Sequence, residues 1–215
     1  MERNLERNLM LCLTHQRGYY PKHSLIFPNV LHSASFALSD SVACQACNIN
    51  QCNQNILYID TKTRLSVLHF EEFVSQLDNT RAALSERCDY LIYDEEEDRN
   101  RIAFCELSCS SDKYVNPNEG RVGKRAKAYS QLMKSIEALL SASPLDMEIL
   151  SFRKKEALFG WRERNYTGMM DSAMESMEAF SVTPDSEAEV LISQEPVMKH
   201  IFVFKQIKYP AHYQW

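Results

Sequence analysis

Two acidic residues, Asp89 and Glu106, stand beside short apolar segments and are the best candidates for chemistry in this chain. Asp89 comes directly before an apolar run, and Glu106 comes directly after one. Carboxylate oxygens are the ligands that hard divalent cations such as Mg²⁺ prefer. Asp89, Glu106 and the backbone carbonyl of Leu107 therefore predict a magnesium site, with water completing the coordination. A metal held in this way lowers the pKa of a bound water and offsets the charge of a phosphate that is being cleaved.

A β-hairpin is predicted to bring these two carboxylates together. Two apolar runs rich in β-branched and aromatic side chains flank residues 95–100, which are too polar for a core. This pattern predicts two antiparallel strands joined by a solvated turn within residues 88–109. Because the start of the first strand lies beside the end of the second, Asp89 and Glu106 should meet at one edge of the sheet.

The remaining elements alternate irregularly between strands and helices. The clearest is a helix over residues 124–140, where Ala128, Leu132 and Ile136 share one face. Further strands are predicted at residues 25–27, 35–38, 55–60, 148–161 (as one strand or two short ones), 189–192 and 200–204. Further helices are predicted at residues 68–84, with or without a break near residues 78–79, and at residues 169–180. This order predicts an α/β (α+β) fold, in which a mixed central sheet contains the hairpin and is flanked by helices.

Composition indicates a folded protein with a substantial core. The chain has 215 residues, of which 45% are hydrophobic, and a net charge of −5. We therefore expect a single domain over residues 1–215 that is not a bulk nucleic-acid binder, with residues 1–54 as a less regular N-terminal extension or insertion. The pattern predicts neither a signal peptide nor a transmembrane helix, and seven cysteines, an odd number, indicate reduced thiols. These features predict a cytoplasmic protein that does not bind membranes.

Cysteines form a second group of potential metal ligands. Three of them have the spacing C-x2-C-x4-C: Cys44, Cys47 and Cys52. Zinc would need a fourth ligand, for which the candidates are Cys12, His15 and His32. The spacing matches no standard zinc ribbon or knuckle, so the sequence favours free thiols. Three further cysteines flank the hairpin and are interpreted as structural: Cys88, Cys105 and Cys109.

Residues 70–140 resemble the core of the PD-(D/E)XK nuclease-like superfamily. The resemblance is carried by Cys-Asp-Tyr-Leu-Ile-Tyr-Asp at residues 88–94, an acidic turn, an Ile-Ala-Phe-Cys-Glu-Leu strand and a Gln-Leu-x-x-Ser-Ile helix. It implies a restriction-endonuclease-like fold in which Asp89 and Glu106 bind Mg²⁺. The lysine of the superfamily falls on Ser108, which is a departure because serine carries no positive charge.

The same resemblance implies further site residues. The helix after the motif often supplies a glutamine or a tyrosine, and the matching residues are Gln131 and Tyr129. A helix before the motif often supplies another acid, and two residues remain open for that role: Glu71 and Glu72. A substitute for the missing lysine could come from the following helix or the loop before it, and the candidates are Lys124, Lys127 and Lys113.

Two functions follow from this reading. Because Ser108 replaces the lysine, the sequence favours a catalytically degenerate nuclease-fold subunit that works within a protein complex. The alternative is an active Mg²⁺-dependent DNA or RNA phosphodiesterase that uses Lys124 or Lys127. The resemblance further implies a protein partner, such as a larger ATPase or nucleic-acid enzyme, and a role in bacterial restriction or phage defence. Candidate partner surfaces are a methionine-bearing segment at residues 169–177 and an aromatic tail at residues 209–215.

Overall fold

The computed structural model describes residues 4–16, 28–39, 55–77, 84, 86–95, 100–110, 115, 123–141, 143–163, 191–193 and 202–215. The helices within them are α1 (Asn4–Leu11), α2 (Phe70–Ser75), α3 (Lys124–Leu140) and α4 (Leu145–Leu150), and a π-helical segment, Cys12–Gln16, follows α1. The strands are β1 (Asn29–His32), β2 (Phe36–Ser39), β3 (Asn55–Asp60), β4 (Leu65–His69), β5 (Tyr90–Asp94), β6 (Arg101–Ser110), β7 (Lys154–Glu163), β8 (Leu191–Ser193), β9 (Val203–Lys208) and β10 (His212–Gln214).

A mixed seven-stranded sheet, in the order β1-β4-β5-β6-β7-β9-β8, forms the centre of the fold. Neighbouring strands from β1 to β6 are antiparallel, whereas β7 runs parallel to both β6 and β9. The sheet therefore changes from antiparallel to parallel at β6, which has partners on both sides. A mixed sheet with helices against it confirms the predicted α/β class.

Two hydrophobic cores lie on opposite faces of this sheet. One face packs against the helices, with buried side chains such as Leu9, Phe73 and Leu132. The other face packs against a second sheet of three strands, in the order β10-β3-β2. Alternation along β6 follows this division, because Phe104 belongs to the helix-side core and Cys105 to the core between the sheets.

The two sheets approach each other closely at Gly160 in β7. A Cβ atom at this position would lie 2.9 Å from Leu107 Cδ2 and 3.1 Å from Leu57 Cβ. Leu107 belongs to β6 and Leu57 to β3. The absence of a side chain at residue 160 therefore permits the contact between the two sheets.

The sequence patterns located the hairpin and the long helix correctly. β5 and β6 are antiparallel partners, and α3 has the predicted bounds of residues 124–140. The helix predicted over residues 68–84 is wrong at its start, because β4 extends to His69, and α2 ends at Ser75. The strand predicted from residue 148 is wrong over its first residues, because α4 continues to Leu150. In both places a helix of six residues lies next to a strand or within three residues of one, and so short an element shows little periodicity.

Of the other predicted elements, some match observed strands and some lie outside the described residues. The strands predicted at residues 35–38 and 55–60 correspond to β2 and β3, and those at 189–192 and 200–204 overlap β8 and β9. Three predictions lie outside the described residues: the strand at 25–27, the helix at 169–180 with its methionine-bearing segment, and the group of Cys44, Cys47 and Cys52.

Both ends of the described chain pack on the rest of the fold. Leu5 and Leu13, from α1 and the π-helical segment, are buried in the helix-side core. At the other end, Trp215 donates from its indole Nε1 to Asp94 Oδ1 at 2.8 Å and from its backbone N to Asp60 O at 2.9 Å. The aromatic tail is therefore part of the fold. None of the described helices is long and apolar enough to cross a membrane.

Candidate active site

Asp89 lies just before β5, where backbone hydrogen bonds fix it to two other elements. Its N–H donates to Cys105 O at 3.0 Å, and its carbonyl accepts from Phe70 N at 2.8 Å. Its side chain reaches across the hairpin, because Oδ2 accepts a hydrogen bond from Leu107 N at 2.7 Å. The carboxylate is thus oriented by the main chain of β6, which is a directional contact that an isolated surface aspartate lacks.

Glu106 extends from β6 toward the helix side of the sheet. It alternates with Cys105 and Leu107, which both belong to the core between the sheets. The residue is only 8% exposed, and Ser108, two positions further along the same face, is 9% exposed. Phe104, two residues before Glu106 on the same face, belongs to the helix-side core. The helix-side face of β6 therefore changes from apolar to polar side chains between residues 104 and 106.

A cleft of about 240 Å³ lies where β6 meets α3, and it brings the predicted site residues together. Its lining comprises Glu71, Asp89, Glu106, Leu107, Ser108, Lys124, Lys127, Ala128, Gln131 and Phe159. The two acids that were predicted to bind metal therefore share one cleft with both helix lysines and with Gln131. Ser108 lines the same cleft.

Helical geometry explains which residues of α3 reach the cleft. Lys124, Lys127 and Gln131 are spaced by three and four residues, so they lie on one face of the helix. Tyr129 does not line the cleft, and its ring packs edge-on against Phe204 at 5.3 Å between centroids. The suggestion that Tyr129 belongs to the site is therefore not supported, because the residue lies on a different face of α3. Lys113 lies outside the described residues.

The structure also distinguishes between the two acids before the motif. Glu71 lines the cleft, and its Oε1 lies 3.5 Å from Nη2 of Arg87. Glu72 does not line the cleft, and its Oε2 lies 4.0 Å from His69 Nδ1. Sequence reasoning did not single out Arg87, because its relation to Glu71 depends on the fold and has no local sequence pattern.

The ligand set of the cleft suits a hard cation with several waters. Asp89 and Glu106 are the two carboxylate residues predicted to bind metal, and Leu107, whose backbone carbonyl was the third predicted ligand, also lines the cleft. Among the described residues, no group of three or more His, Cys, Asp or Glu side chains is arranged to hold a metal ion. Two protein carboxylates with water completing the shell is a coordination that Mg²⁺ commonly adopts, whereas Zn²⁺ prefers a closed set of nitrogen and sulphur ligands.

The cysteines beside the acids are not suited to be nucleophiles. Burial raises the pKa of the Cys88 thiol, and the negative charges of Glu106 and Asp89 raise it further. Burial likewise raises the pKa of the Cys105 thiol, with a further contribution from Asp89. Both thiols therefore stay protonated at neutral pH. Because the thiolate is the reactive form of cysteine, neither side chain is suited to attack a substrate. Cys88, Cys105 and Cys109 are buried and form no disulfide, which fits the structural role expected from the sequence.

The cleft thus combines the carboxylate residues Asp89 and Glu106 on the sheet side with two lysines, Lys124 and Lys127, on the helix side. Such a pairing suits a ligand that binds a metal ion and carries negative charge, as a phosphodiester does. Comparisons of this chain with protein-family models, curated proteins and solved structures return no match.

Proposed function

We propose that this protein is a Mg²⁺-dependent phosphodiesterase that cleaves DNA or RNA, with a nuclease fold of the PD-(D/E)XK type. The observation that carries the proposal is the convergence of Asp89, Glu106, Lys124 and Lys127 on a single cleft. In this proposal α3 supplies the positive charge that Ser108 cannot provide.

Each group in the cleft has a defined task. Asp89 and Glu106 would hold the metal through their carboxylates, and Leu107 N–H keeps the Asp89 carboxylate oriented. Mg²⁺, when bound, supplies Lewis acidity and lowers the pKa of a coordinated water. The ammonium groups of Lys124 and Lys127 attract the phosphate and stabilise the charge that develops on its oxygens. The hydroxyl of Ser108 adds a neutral hydrogen-bond donor to the same wall.

The start of α3 favours an anion at the same place. Lys124 is the first residue of the helix, and its first turn contains no acidic residue. The positive end of the helix dipole therefore adds to the charge of the lysines and is not neutralised by a carboxylate in that turn. Lysines are disfavoured at a helix N-terminus in the absence of an anion, which gives their presence here a functional explanation.

The architecture supports the nuclease assignment. The antiparallel strands β4, β5 and β6 are followed by α3, by the short helix α4 and then by β7, which is parallel to β6. A hairpin-bearing mixed sheet flanked by helices is the arrangement that the PD-(D/E)XK resemblance implies. The acids occupy the hairpin, as the resemblance requires.

A catalytically degenerate subunit is the second candidate, and two observations favour it. Ser108 lines the cleft at the position where the superfamily has its lysine. In addition, α1 and α4 contact each other and expose four large apolar side chains: Met10, Leu11, Met147 and Leu150. Exposed apolar side chains on neighbouring helices suit a protein partner, such as the larger ATPase or nucleic-acid enzyme of a restriction or phage-defence complex.

A cleavage assay separates the two candidates. The purified full chain is incubated with Mg²⁺ or Mn²⁺ and with end-labelled single- and double-stranded DNA and RNA. We expect cleavage by the wild type and its loss in Asp89→Asn and Glu106→Gln, which keep the shape of each side chain and remove its charge. Glu137→Gln is the matched control, because Glu137 is an exposed acid on α3 outside the cleft lining.

Each outcome of this assay decides between the candidates. Metal-dependent cleavage that survives in both acid variants would reject the proposed site. No cleavage of any of the four substrates by the wild type would reject the active enzyme and favour the degenerate subunit.

A further inference from the structure

Helix α3 binds both polar groups of the peptide bond between Arg87 and Cys88, which lies one residue before Asp89. The Gln131 side-chain Nε2 donates to Arg87 O at 3.0 Å. The Ser135 hydroxyl accepts from Cys88 N at 2.9 Å and donates to Gln131 O at 2.9 Å. Arg87 O and Cys88 N belong to one peptide unit, so Gln131 and Ser135, one helical turn apart, bind it from both sides. We refer to these two residues as the α3 clamp.

The α3 clamp is a buried and specific feature. Ser135 and Cys88 are both fully buried. Residues 86–89 belong to neither a helix nor a strand, so their backbone polar groups require other partners. Glu86, at the start of this segment, is also bound to α3, through Ser130 Oγ at 2.9 Å and Lys134 Nζ at 2.8 Å. Each of the three residues before Asp89 (Glu86, Arg87 and Cys88) therefore contacts α3.

The same helix carries the cations of the cleft. Lys124 and Lys127 lie in the first turn of α3, and Gln131 lines the cleft one turn later. The segment before Asp89 and the backbone of both lysines are therefore attached to the same helix. Loss of the outer contacts that orient a metal ligand commonly reduces metal affinity by about 10- to 100-fold, and the α3 clamp orients Asp89 through the backbone that precedes it.

We propose that Ser135 and Gln131 are positioning residues for Asp89, and that they set the geometry of its carboxylate relative to Glu106 and the α3 lysines. The effect on metal binding rests on the proposed function, whereas the effect on the position of Asp89 does not. Ser135 acts through the Cys88 amide and does not touch the metal or the substrate. Its removal leaves the buried Cys88 N–H without its acceptor, so the segment before Asp89 must shift or open.

Hydrogen exchange tests the position of Asp89 without any metal. Leu107 N–H donates to the Asp89 carboxylate, so its exchange rate reports whether that carboxylate stays in place. We expect Ser135→Ala to speed the exchange of the Leu107 amide about tenfold relative to the Ala103 amide in the same strand, measured by NMR on the full chain. Ile136→Val is the control, because it trims a buried side chain of α3 and leaves the α3 clamp intact.

Titration with Mn²⁺ alone tests the consequence for the site. We expect the dissociation constant for Mn²⁺ to rise about tenfold in Ser135→Ala and to stay unchanged in Ile136→Val. Unchanged Leu107 exchange in Ser135→Ala, or equal acceleration in both variants, would overturn the positioning role. If the wild type fails to bind Mn²⁺, the proposed function fails, and the exchange of Leu107 still decides the role of Ser135.

Discussion

Replacement of both cleft lysines tests whether α3 supplies the missing catalytic charge. Lys124→Met and Lys127→Met keep the apolar part of each side chain and remove the ammonium group. Lys62→Met is a matched control, because Lys62 is also exposed and lies in the turn between β3 and β4, outside the cleft lining. The double variant should lose cleavage activity, whereas the control should retain it.

The magnitude follows from the exposure of the two lysines. Two unit charges about 4 Å apart interact by about 1 kcal/mol in water and by about 4 kcal/mol at an effective dielectric of about 20. Both lysines are exposed, which places each of them near the lower value. At about 1.4 kcal/mol for each tenfold change in rate, each single variant should lose about fivefold to tenfold in kcat/KM, and the double variant about 30- to 100-fold.

The assay is steady-state cleavage of a fluorescent oligonucleotide at fixed Mg²⁺ and ionic strength. Ser108→Lys is a further variant for this assay. Residue 108 lines the same cleft, so a lysine on β6 would replace the positive charge removed from α3. We expect Ser108→Lys to recover part of the activity lost in the double variant. A double variant that keeps more than half of the wild-type kcat/KM would refute the role of α3 as the source of charge.

Two further predictions concern buried residues outside the cleft lining. Glu156→Leu should lower the free energy of unfolding in urea by about 3–5 kcal/mol, because Arg101 and Lys205 would lose a buried carboxylate partner; a loss below about 1 kcal/mol would contradict this. Cys88 and Cys105 should resist alkylation by iodoacetamide at pH 8 in the native protein and react after unfolding, because burial raises the pKa of both thiols. Peptide mass spectrometry measures this, and rapid native labelling of either residue would contradict its burial.

Periodic patterns were sufficient where an element has one buried face. The bounds of α3 follow from apolar residues at helical spacing, because one face of the helix packs on the core and the other is solvated. The approach of Asp89 and Glu106 follows from antiparallel pairing, which sets the start of one strand beside the end of the next. Both features depend on residues close in sequence.

Sequence patterns failed where both faces of a strand are buried, because its hydrophobic and polar residues then do not alternate. β4 has four consecutive buried residues, so it lacks the alternation of a half-exposed strand and was merged with the helix that follows. Ser135 had no signal at all, because its partner Cys88 is 47 residues away and a buried serine in a helix has no distinctive neighbours. The elements of the site were therefore predictable from sequence, but the contacts that orient its residues required the fold.

Gly160 connects the packing between the two sheets with the cleft on the other face of the seven-stranded sheet. The hydrogen that replaces a side chain there lets Leu57 and Leu107 close over it, and the Leu107 amide is the donor to the Asp89 carboxylate. Any larger residue at position 160 must displace one of those two leucines, since a Cβ would lie within 3.1 Å of both. Packing of the three-stranded sheet against β6 and β7 is therefore linked to the orientation of Asp89. A substitution at residue 160, on the face opposite the cleft, is expected to change that orientation without replacing either acid or either lysine.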